Sequence, residues 1–307
     1  METSSPYIMI AGPTASGKSK LAVDLAQRFD GAVINADSMQ MYADLMILTA
    51  RPQPHEMQGI PHHLFAIHDA AHRASVAEWL SLAATAISEV RSAGKLPIIV
   101  GGTGMYLQAG LHGIAPVPDV PADVHEHCID LYRELGGAKF RDVLAGYDAT
   151  ISARLADGDS QRLIRAMGVA MATDHSLSWW QQQPHKGALS GSVVTIVMMP
   201  CRATLYHRVN HRFDHMLMHG AIDEVAGLMA RQLDPGLPIM KALGVAPIAA
   251  FLTGNMTKTD AAFFAKRDSR RYAKRQMTWI RNNFNAQIII ETKYSESLYE
   301  NIFSFIC

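Results

Sequence analysis

IAGPTASGKSKL, residues 10–21, is the stretch on which the fold turns. Gly12, four residues, then Gly17, Lys18 and Ser19 fit the phosphate-binding pattern G-x-x-x-x-G-K-[ST]. Chemistry explains the pattern. Glycines let backbone N–H groups close around anionic oxygens, and a helix N-terminus adds the positive end of its dipole. Lys18 adds charge, and the Ser19 hydroxyl can ligate magnesium. Gly12, Pro13, Thr14, Ala15, Ser16, Gly17, Lys18 and Ser19 are therefore the candidate phosphate cradle. The motif announces a phosphate without saying whose: ATP and the diphosphate of another molecule satisfy the same donors.

Working outward, the apolar run YIMIA (7–11) precedes the loop, and Leu21, Leu25 and Phe29 follow it at helical spacing, giving strand, loop, helix. A second run, AVINADS, ends at Asp37, where a buried parallel strand delivers polar groups to the sheet edge beside the loop. Ser75 with Glu78 fits a capping box, and Val76, Leu80, Ala83, Ile87 and Val90 form the buried stripe of a helix that Gly94 ends. LPIIVGGTG then supplies another strand and a second glycine-rich turn. Strand, helix and strand at these spacings predict an α/β fold, a parallel sheet with crossover helices.

From Ala115 the pattern changes to PVPDVPADV and short helical segments without strands, so 115–191 is read as an inserted helical domain. It divides the core into 1–114 and 192–307. VVTIVMMP resumes the sheet, helices follow, and QIIIE is a returning strand.

Composition bounds the rest. The 307 residues are 49% hydrophobic and 18% charged, enough for one large or two modest soluble domains, and the 28 basic and 28 acidic residues cancel. Cys128, Cys201 and Cys307 are far apart and lack metal-ligand spacing, so no disulfide is expected. The N-terminus METSSPYIMIAG lacks a basic start, and no apolar run reaches the length of a membrane span. A cytoplasmic location is expected.

Local charge is less even. AKRDSRRYAKRQMTWIR, 265–281, sets seven basic residues against Asp268, a net +6, while the remaining residues sum to −6. Helical spacing lines up Arg267, Arg270, Arg271 and Lys274, with Tyr272 and Trp279 available for base stacking. That is a nucleic-acid footprint or, more plainly, a solvated basic helix. Asp37 in NADSMQMY is open between a magnesium ligand or general base and a turn aspartate. Thr103 in GGTGMY is open between a phosphate donor and a tight strand-to-helix connection. His207, His211, His215 and His219 recur every fourth residue, but Leu205, Val209, Phe213 and Leu217 run beside them as the buried stripe. The histidines are read as solvent-facing rather than as zinc ligands. His62 and His63 are read as loop or packing residues.

Taken together, these blocks resemble the bacterial type of the tRNA dimethylallyltransferase, or tRNA isopentenyltransferase, family. GPTASGKS (12–19), NADSMQMY (35–42), TARP (49–52), GIPHHL (59–64), PIIVGGTGMYL (97–107), DSQRLIRAM (159–167), LYHRVNHRFDHML (205–217) and RRYAKRQMTWIR (270–281) carry the likeness over nearly the whole chain. The resemblance implies transfer of a dimethylallyl group from its diphosphate to N6 of the adenosine immediately 3′ of a tRNA anticodon, releasing pyrophosphate. The glycine loop would then hold the prenyl diphosphate, with magnesium at Ser19, and Lys18 and Thr103 stabilising the departing charge. Asp37 would accept the N6 proton, Ser38 and Gln40 would help fix the base, and Met39 is carried over beside them as a tRNA contact. The resemblance carries tRNA contact to Gln161, Arg162, Leu163, Ile164 and Arg165 in the insertion, and to Arg270, Arg271, Lys274, Arg275 and Gln276 on the basic helix. The implied partners are the tRNA anticodon stem-loop and dimethylallyl diphosphate, with no membrane and a monomeric chain.

The chain departs from the family pattern in three places. KALGVAP has Val245 and Ala246 where an aromatic and a basic residue are usual, so a cation is missing there and Lys241 is the candidate to compensate. Met46 and Leu48 replace a usual acidic residue and glycine, and Ser19 replaces threonine while keeping the hydroxyl. Three rivals remain at this level. An ATP-dependent small-molecule kinase leaves the basic helix unexplained, an AMP prenylating enzyme does not need QRLIR, and a non-catalytic RNA-binding protein is compatible with Val245 and Ala246.

Overall fold

A computed structural model describes residues 6–291. The chain begins with β1 (Tyr7–Ala11), α1 (Lys18–Arg28) and β2 (Gly31–Asn35), followed by a 3₁₀ turn at Ser38–Met41, the single turn α2 (Pro54–Met57) and β3 (His62–His63). Then come α3 (Val76–Ser92), β4 (Leu96–Gly101) and α4 (Gly104–His112). Four helices follow, α5 (Ala122–Ala145), α6 (Ala149–Arg154), α7 (Ser160–Ala172) and α8 (Leu177–Gln181). The remaining elements are β5 (Val193–Met198), α9 (Arg202–Met218), α10 (Ala221–Ala230), a 3₁₀ turn at Pro238–Lys241, α11 (Val245–Leu252), α12 (Lys258–Asn283) and β6 (Ile288–Ile290).

Among the described residues six strands form one sheet in the order β3-β2-β4-β1-β5-β6, and each of these pairings is parallel. Its central strands are buried along their length, which is why their sequences are continuous apolar runs rather than alternating ones. Ile8, Ile10, Leu21, Leu25, Val33, Ile98 and Val100 pack one sheet face against α1. β1 lies between β4 and β5, so the chain leaves it toward β2 on one side and β5 on the other. Such a reversal opens a crevice at the C-terminal ends of the strands. The loops after β1, β2 and β4 all emerge at that edge.

Glycine sets how closely these loops pass. A Cβ on Gly101 would lie 2.0 Å from the Ala36 carbonyl oxygen, so only glycine lets the ends of β2 and β4 converge. α3 begins with the expected capping box of Ser75 and Glu78 and buries Leu80, Ala83, Ile87 and Val90; Val76 is half-buried.

The chain forms two compact units, residues 1–111 with 189–307, and residues 112–188. The insertion expected at 115–191 thus starts and ends three residues earlier. Antiparallel bonds between Ile114 and Lys186, 2.9 Å each way, tie its ends. The second unit has its own core of Cys128, Phe140, Leu144, Leu163, Ala166 and Met167. Two of its helices are the short segments expected, α6 and α8, whereas α5 runs 24 residues, interrupted at Gly136, where φ is +70°, and α7 runs 13. The two-residue β3 lacks the apolar run by which the other strands are recognisable. Cys128 and Cys201 are free thiols, and Cys307 lies outside the described residues. No described helix is long and apolar enough to cross a membrane.

Candidate active site

Thr14 to Ser19 line a cavity of about 700 Å³ at the C-terminal edge of the sheet. Ala15 (φ +63°) and Gly17 (φ +101°) take left-handed backbone conformations, curling the loop around the start of α1. That helix has no side-chain cap, so its first N–H groups face the loop, as an anion site requires. Ser16 is buried and its hydroxyl has no hydrogen-bond partner among the described residues. A buried orphan donor lining an anion-shaped cradle fits a ligand oxygen. Two members of the expected cradle do not line the cavity. Pro13 has no N–H to offer and instead accepts from Ser16 N (3.2 Å) and Lys18 Nζ (3.5 Å). Gly12 is a packing glycine, since a Cβ there would sit 2.7 Å from Ser16 Oγ and 3.0 Å from Met198 O.

Asp37 enters the same cavity from the end of β2. Buried Asn35 shapes its turn: the Asn35 amide donates to Asp37 O (2.9 Å) and Leu64 O (3.0 Å) and accepts from Asp37 N (2.8 Å). Asp37 Oδ1 accepts from Met39 N (3.1 Å) and caps the 3₁₀ turn, while its second oxygen has no hydrogen-bond partner among the described residues. Asp37 is thus a turn cap, and the same residue lines the cavity. Gln40 also lines the cavity, and its Nε2 donates to Thr49 O and Ala50 O, 3.0 Å each. Thr103 does not line it. Its Oγ1 accepts from Ser38 N (3.0 Å) and lies 3.3 Å from Ser38 Oγ, so its structural part is to hold the Asp37–Ser38 turn.

Arg208 and Arg212 were not singled out in the sequence. From α9, Arg208 donates to Ser16 O (3.3 Å) and Arg212 to the Thr14 hydroxyl, and both line the cavity. Their four-residue spacing was the available clue, hidden among the histidines of the same helix. Those histidines are all exposed, as expected.

A second cavity of about 270 Å³ shares Thr14, Asp37 and Arg212 with the first and adds Ser38, Met39, Lys241, Tyr272 and Arg275. Lys241 thus brings a cation to the Asp37 side of the site. Val245 is buried at the start of α11 and neither it nor Ala246 lines either cavity. The Arg275 guanidinium lies 5.6 Å from the Tyr272 ring centroid.

The expected nucleic-acid residues divide. On α12, Arg271 and Lys274 are exposed, whereas Arg270 is half-buried and donates to Asn210 Oδ1 (2.6 Å). Gln276 is buried and not available to RNA. It accepts from Thr14 N (2.9 Å) and donates to Gly102 O (2.8 Å), joining the two glycine-rich loops. Trp279 packs on Gly104, where a Cβ would meet its ring at 2.5 Å, so it is a docking contact rather than a free stacking surface. In the second unit, Leu163 is fully buried, Arg162 is exposed beside Asp159, Arg165 donates to Pro118 O (3.3 Å), and Gln161 is exposed and Ile164 half-buried.

Electrostatically the cavity is rich in cations, Lys18, Lys20, Arg208 and Arg212, against two carboxylates, Asp37 and Glu56. Burial pulls Lys18 down to about 8, with Asp37 raising it and Arg212 lowering it further. Burial likewise lowers Arg212, opposed by Asp37. Burial and then Asp37 push the Tyr272 phenol up, keeping it protonated. Such a site suits a polyanion, with the Asp37 carboxylate beside the loop. The exposed Ser19 hydroxyl and the Asp37 carboxylate, both oxygen donors in one open cavity, fit a hard cation that keeps most of its waters.

The IPP transferase family matches residues 40–283, and the isopentenyl transferase family matches residues 6–70. A tRNA dimethylallyltransferase of Hyphomonas neptunium is 47% identical over 280 residues, covering 91% of this chain and 89% of its own. One from Parvibaculum lavamentivorans is 44% identical over 301 residues, with 97% and 95% covered. Among solved structures, a full-length tRNA isopentenylpyrophosphate transferase of Bacillus halodurans superposes with a TM-score of 0.71 at 34% identity, covering 98% of this chain and 95% of that one. A eukaryotic dimethylallyltransferase acting on tRNA gives a TM-score of 0.83 at 26% identity, with 99% and 78% covered.

Proposed function

The chain belongs to the tRNA dimethylallyltransferase family, and we propose that its glycine loop holds dimethylallyl diphosphate while Asp37 serves the tRNA adenosine. It is a prenyltransferase of tRNA. The observation that carries the assignment of roles is the placement of the Asp37 carboxylate in the same cavity as an anion cradle and the cations Lys18, Arg208 and Arg212.

The chemistry runs from those positions. Adenine N6 attacks the first carbon of the dimethylallyl group, that carbon's bond to the diphosphate oxygen breaks, and the electron pair leaves with pyrophosphate. The departing charge meets the N–H groups of the loop, Lys18 and the two arginines, donors fixed before the reaction begins. As N6 becomes cationic, Asp37 accepts its proton through the oxygen not engaged by Met39. Thr103 acts as a positioning residue through Ser38. The Ser19 hydroxyl would hold magnesium, whose contribution is further neutralisation of the diphosphate. Apolar Val23, Val33 and Phe65 in the cavity lining suit a five-carbon chain.

The adenosine leaves the anticodon-loop stack to reach this depth, as bases do in enzymes that modify them. Arg271, Lys274 and Arg275 are the α12 residues we assign to the RNA backbone, with Gln161 and Arg162 in the second unit. We further propose that the enzyme acts as a monomer in the cytoplasm. An ATP-dependent kinase is not favoured, because the relatives that match over nine-tenths of the chain are prenyltransferases.

The test combines protein, magnesium, dimethylallyl diphosphate and an anticodon stem-loop, and follows the RNA by mass. A gain of one C5H8 unit is expected, with Asp37→Asn slowed by roughly 10²–10⁴-fold and pyrophosphate binding retained. An unchanged mass with the unaltered chain would overturn the reading. Preference for AMP over the stem-loop, or ATP turnover without RNA, would point to the rivals.

A further inference from the structure

Outside the active-site cavities, His68, His72 and Glu78 bring three donor atoms to within 4.8 Å of one another. We propose that these three side chains form a divalent transition-metal site, for which zinc is the best-matched ion. None of the three lines either cavity at the sheet edge.

The donors are tied down by backbone. His68 donates its N–H to Met41 O and accepts from Ala43 N, 2.9 Å each, where the chain runs beside Tyr42. The His72 carbonyl accepts from Tyr42 Oη (3.1 Å), and Glu78 stands in the first turn of α3, its N–H held by Ser75 Oγ (3.1 Å). Each ligand therefore comes from an anchored segment, the condition for a chelate that costs little ordering on binding.

His68 points specifically to a ligand. The residue is 9% exposed, and its Nε2 has no hydrogen-bond partner among the described residues. That nitrogen lies 3.8 Å from Glu78 Oε1, beyond hydrogen-bond reach, while His72 Nε2 lies 2.9 Å from the Glu78 carboxylate. Zinc bonds of 2.0–2.1 Å in a tetrahedron separate adjacent ligands by about 3.3 Å. The two His–Glu spans bracket that separation and no two donor atoms of the set are more than 4.8 Å apart, so side-chain shifts of about an ångström bring the set to bonding distance. The imidazoles stack with centroids 4.1 Å apart, and the Nε2 atoms of His68 and His72 lie 3.8 Å and 2.9 Å from the Glu78 carboxylate.

The donor types choose the ion. Two imidazole nitrogens and one carboxylate oxygen suit zinc and its transition-metal neighbours, whereas magnesium and calcium favour all-oxygen sets. Glu78 Oε2 also accepts from Ser75 N (3.4 Å), an outer contact that orients the carboxylate. His72 is partly exposed and gives the ion a route in and a position for water. Bound there, the metal would staple the turn at 68–72 to the start of α3, a structural function.

The experiment uses the tag-free, metal-stripped full chain, titrated calorimetrically with zinc in the presence of excess magnesium, with cobalt substitution as a spectroscopic check. One equivalent is expected, with tetrahedral cobalt bands in the visible. His72→Ala and Glu78→Gln should each weaken zinc binding at least about tenfold. A His207→Gln/His211→Gln variant controls for the exposed histidines of α9 and should bind as the parent does. Should a triad variant misfold, hydrogen exchange on the parent chain decides, with zinc-dependent protection expected over 68–80. Absence of zinc binding, or binding lost with the α9 variant and kept in the triad variants, overturns the proposal. Protection confined to 207–219 does the same.

Discussion

Lys18 shows how one side chain is set by its neighbours. Removal from water disfavours its ammonium, Asp37 favours it, and Arg212 opposes it, leaving a value of about 8 against an ordinary 10.5. Above pH 8 the folded, ligand-free protein releases this proton while the unfolded chain keeps it to about 10.5. The unfolded state then binds more protons, so the Lys18 contribution makes stability rise with pH across that window and is least favourable below pH 8. Diphosphate binding has the opposite sign. The anion requires the ammonium, so affinity falls as pH climbs above 8, by up to about tenfold per unit. Calorimetric pyrophosphate titrations and melting temperatures from pH 7 to 10, for the parent and for Lys18→Met, would separate the two effects. Parallel profiles for the two proteins would falsify the assignment. Asp37 is subject to a simpler rule: without its charge the cradle should bind pyrophosphate at least as well, and only transfer should fail.

At the scale of elements, the sheet was legible because each central strand is a continuous apolar run and each connection carries a glycine, a cap or a proline. The phosphate loop was legible for the same local reason. Contacts made across long sequence separations were not. Gln276 was placed among RNA contacts, yet its amide bridges Thr14 and Gly102, residues more than 170 positions away. Arg208 and Arg212 went unnoticed because nothing local says that α9 runs beside the loop. GGTG suggested a second phosphate turn, while its glycines make room for Ala36, Gln276 and Trp279. The bridge makes a prediction. Gln276→Leu frees the Thr14 N–H and Gly102 carbonyl in a buried place, costing about 1–3 kcal/mol for each group left unsatisfied. It should raise the KM for dimethylallyl diphosphate more than that for tRNA, and steady-state kinetics with each substrate varied would check the split. Glu224 is a second bridge that sequence hid. Its carboxylate accepts from Met46 N (2.8 Å), Ile47 N (2.6 Å) and Leu48 N (3.0 Å), fixing the loop whose Thr49 and Ala50 carbonyls hold Gln40. Met46 and Leu48, unusual for the family, contribute to this contact through backbone alone. Glu224→Ala should lower stability by about 3 kcal/mol and reduce kcat, read by denaturant melts and single-turnover assays.

Over the whole molecule the charges cancel, but their distribution does not. Residues 265–281 hold a net +6 within α12, while all others together hold −6. A polyanionic partner is thereby drawn to one helix and repelled on average by the rest, which favours orientation over non-specific adhesion. Part of that charge is already committed within the fold, since Lys266 pairs with Asp214 and Arg267 with Asp268. Exposed Arg271 and Lys274 remain oriented to solvent, and Arg271 keeps only a long 3.7 Å contact with Asp268. If these two meet the RNA backbone, each phosphate neutralised releases counterions, and tRNA affinity falls linearly in a double-logarithmic plot against salt. Arg271→Ala with Lys274→Ala should weaken tRNA binding at low salt and flatten that slope by about two, leaving pyrophosphate affinity unchanged because neither residue lines the cradle cavity. Fluorescence titrations of an anticodon stem-loop over a salt series measure the slope directly. A variant with the parent's slope would move the RNA footprint off this face of α12, and the basic run would then be a solvated surface and nothing more.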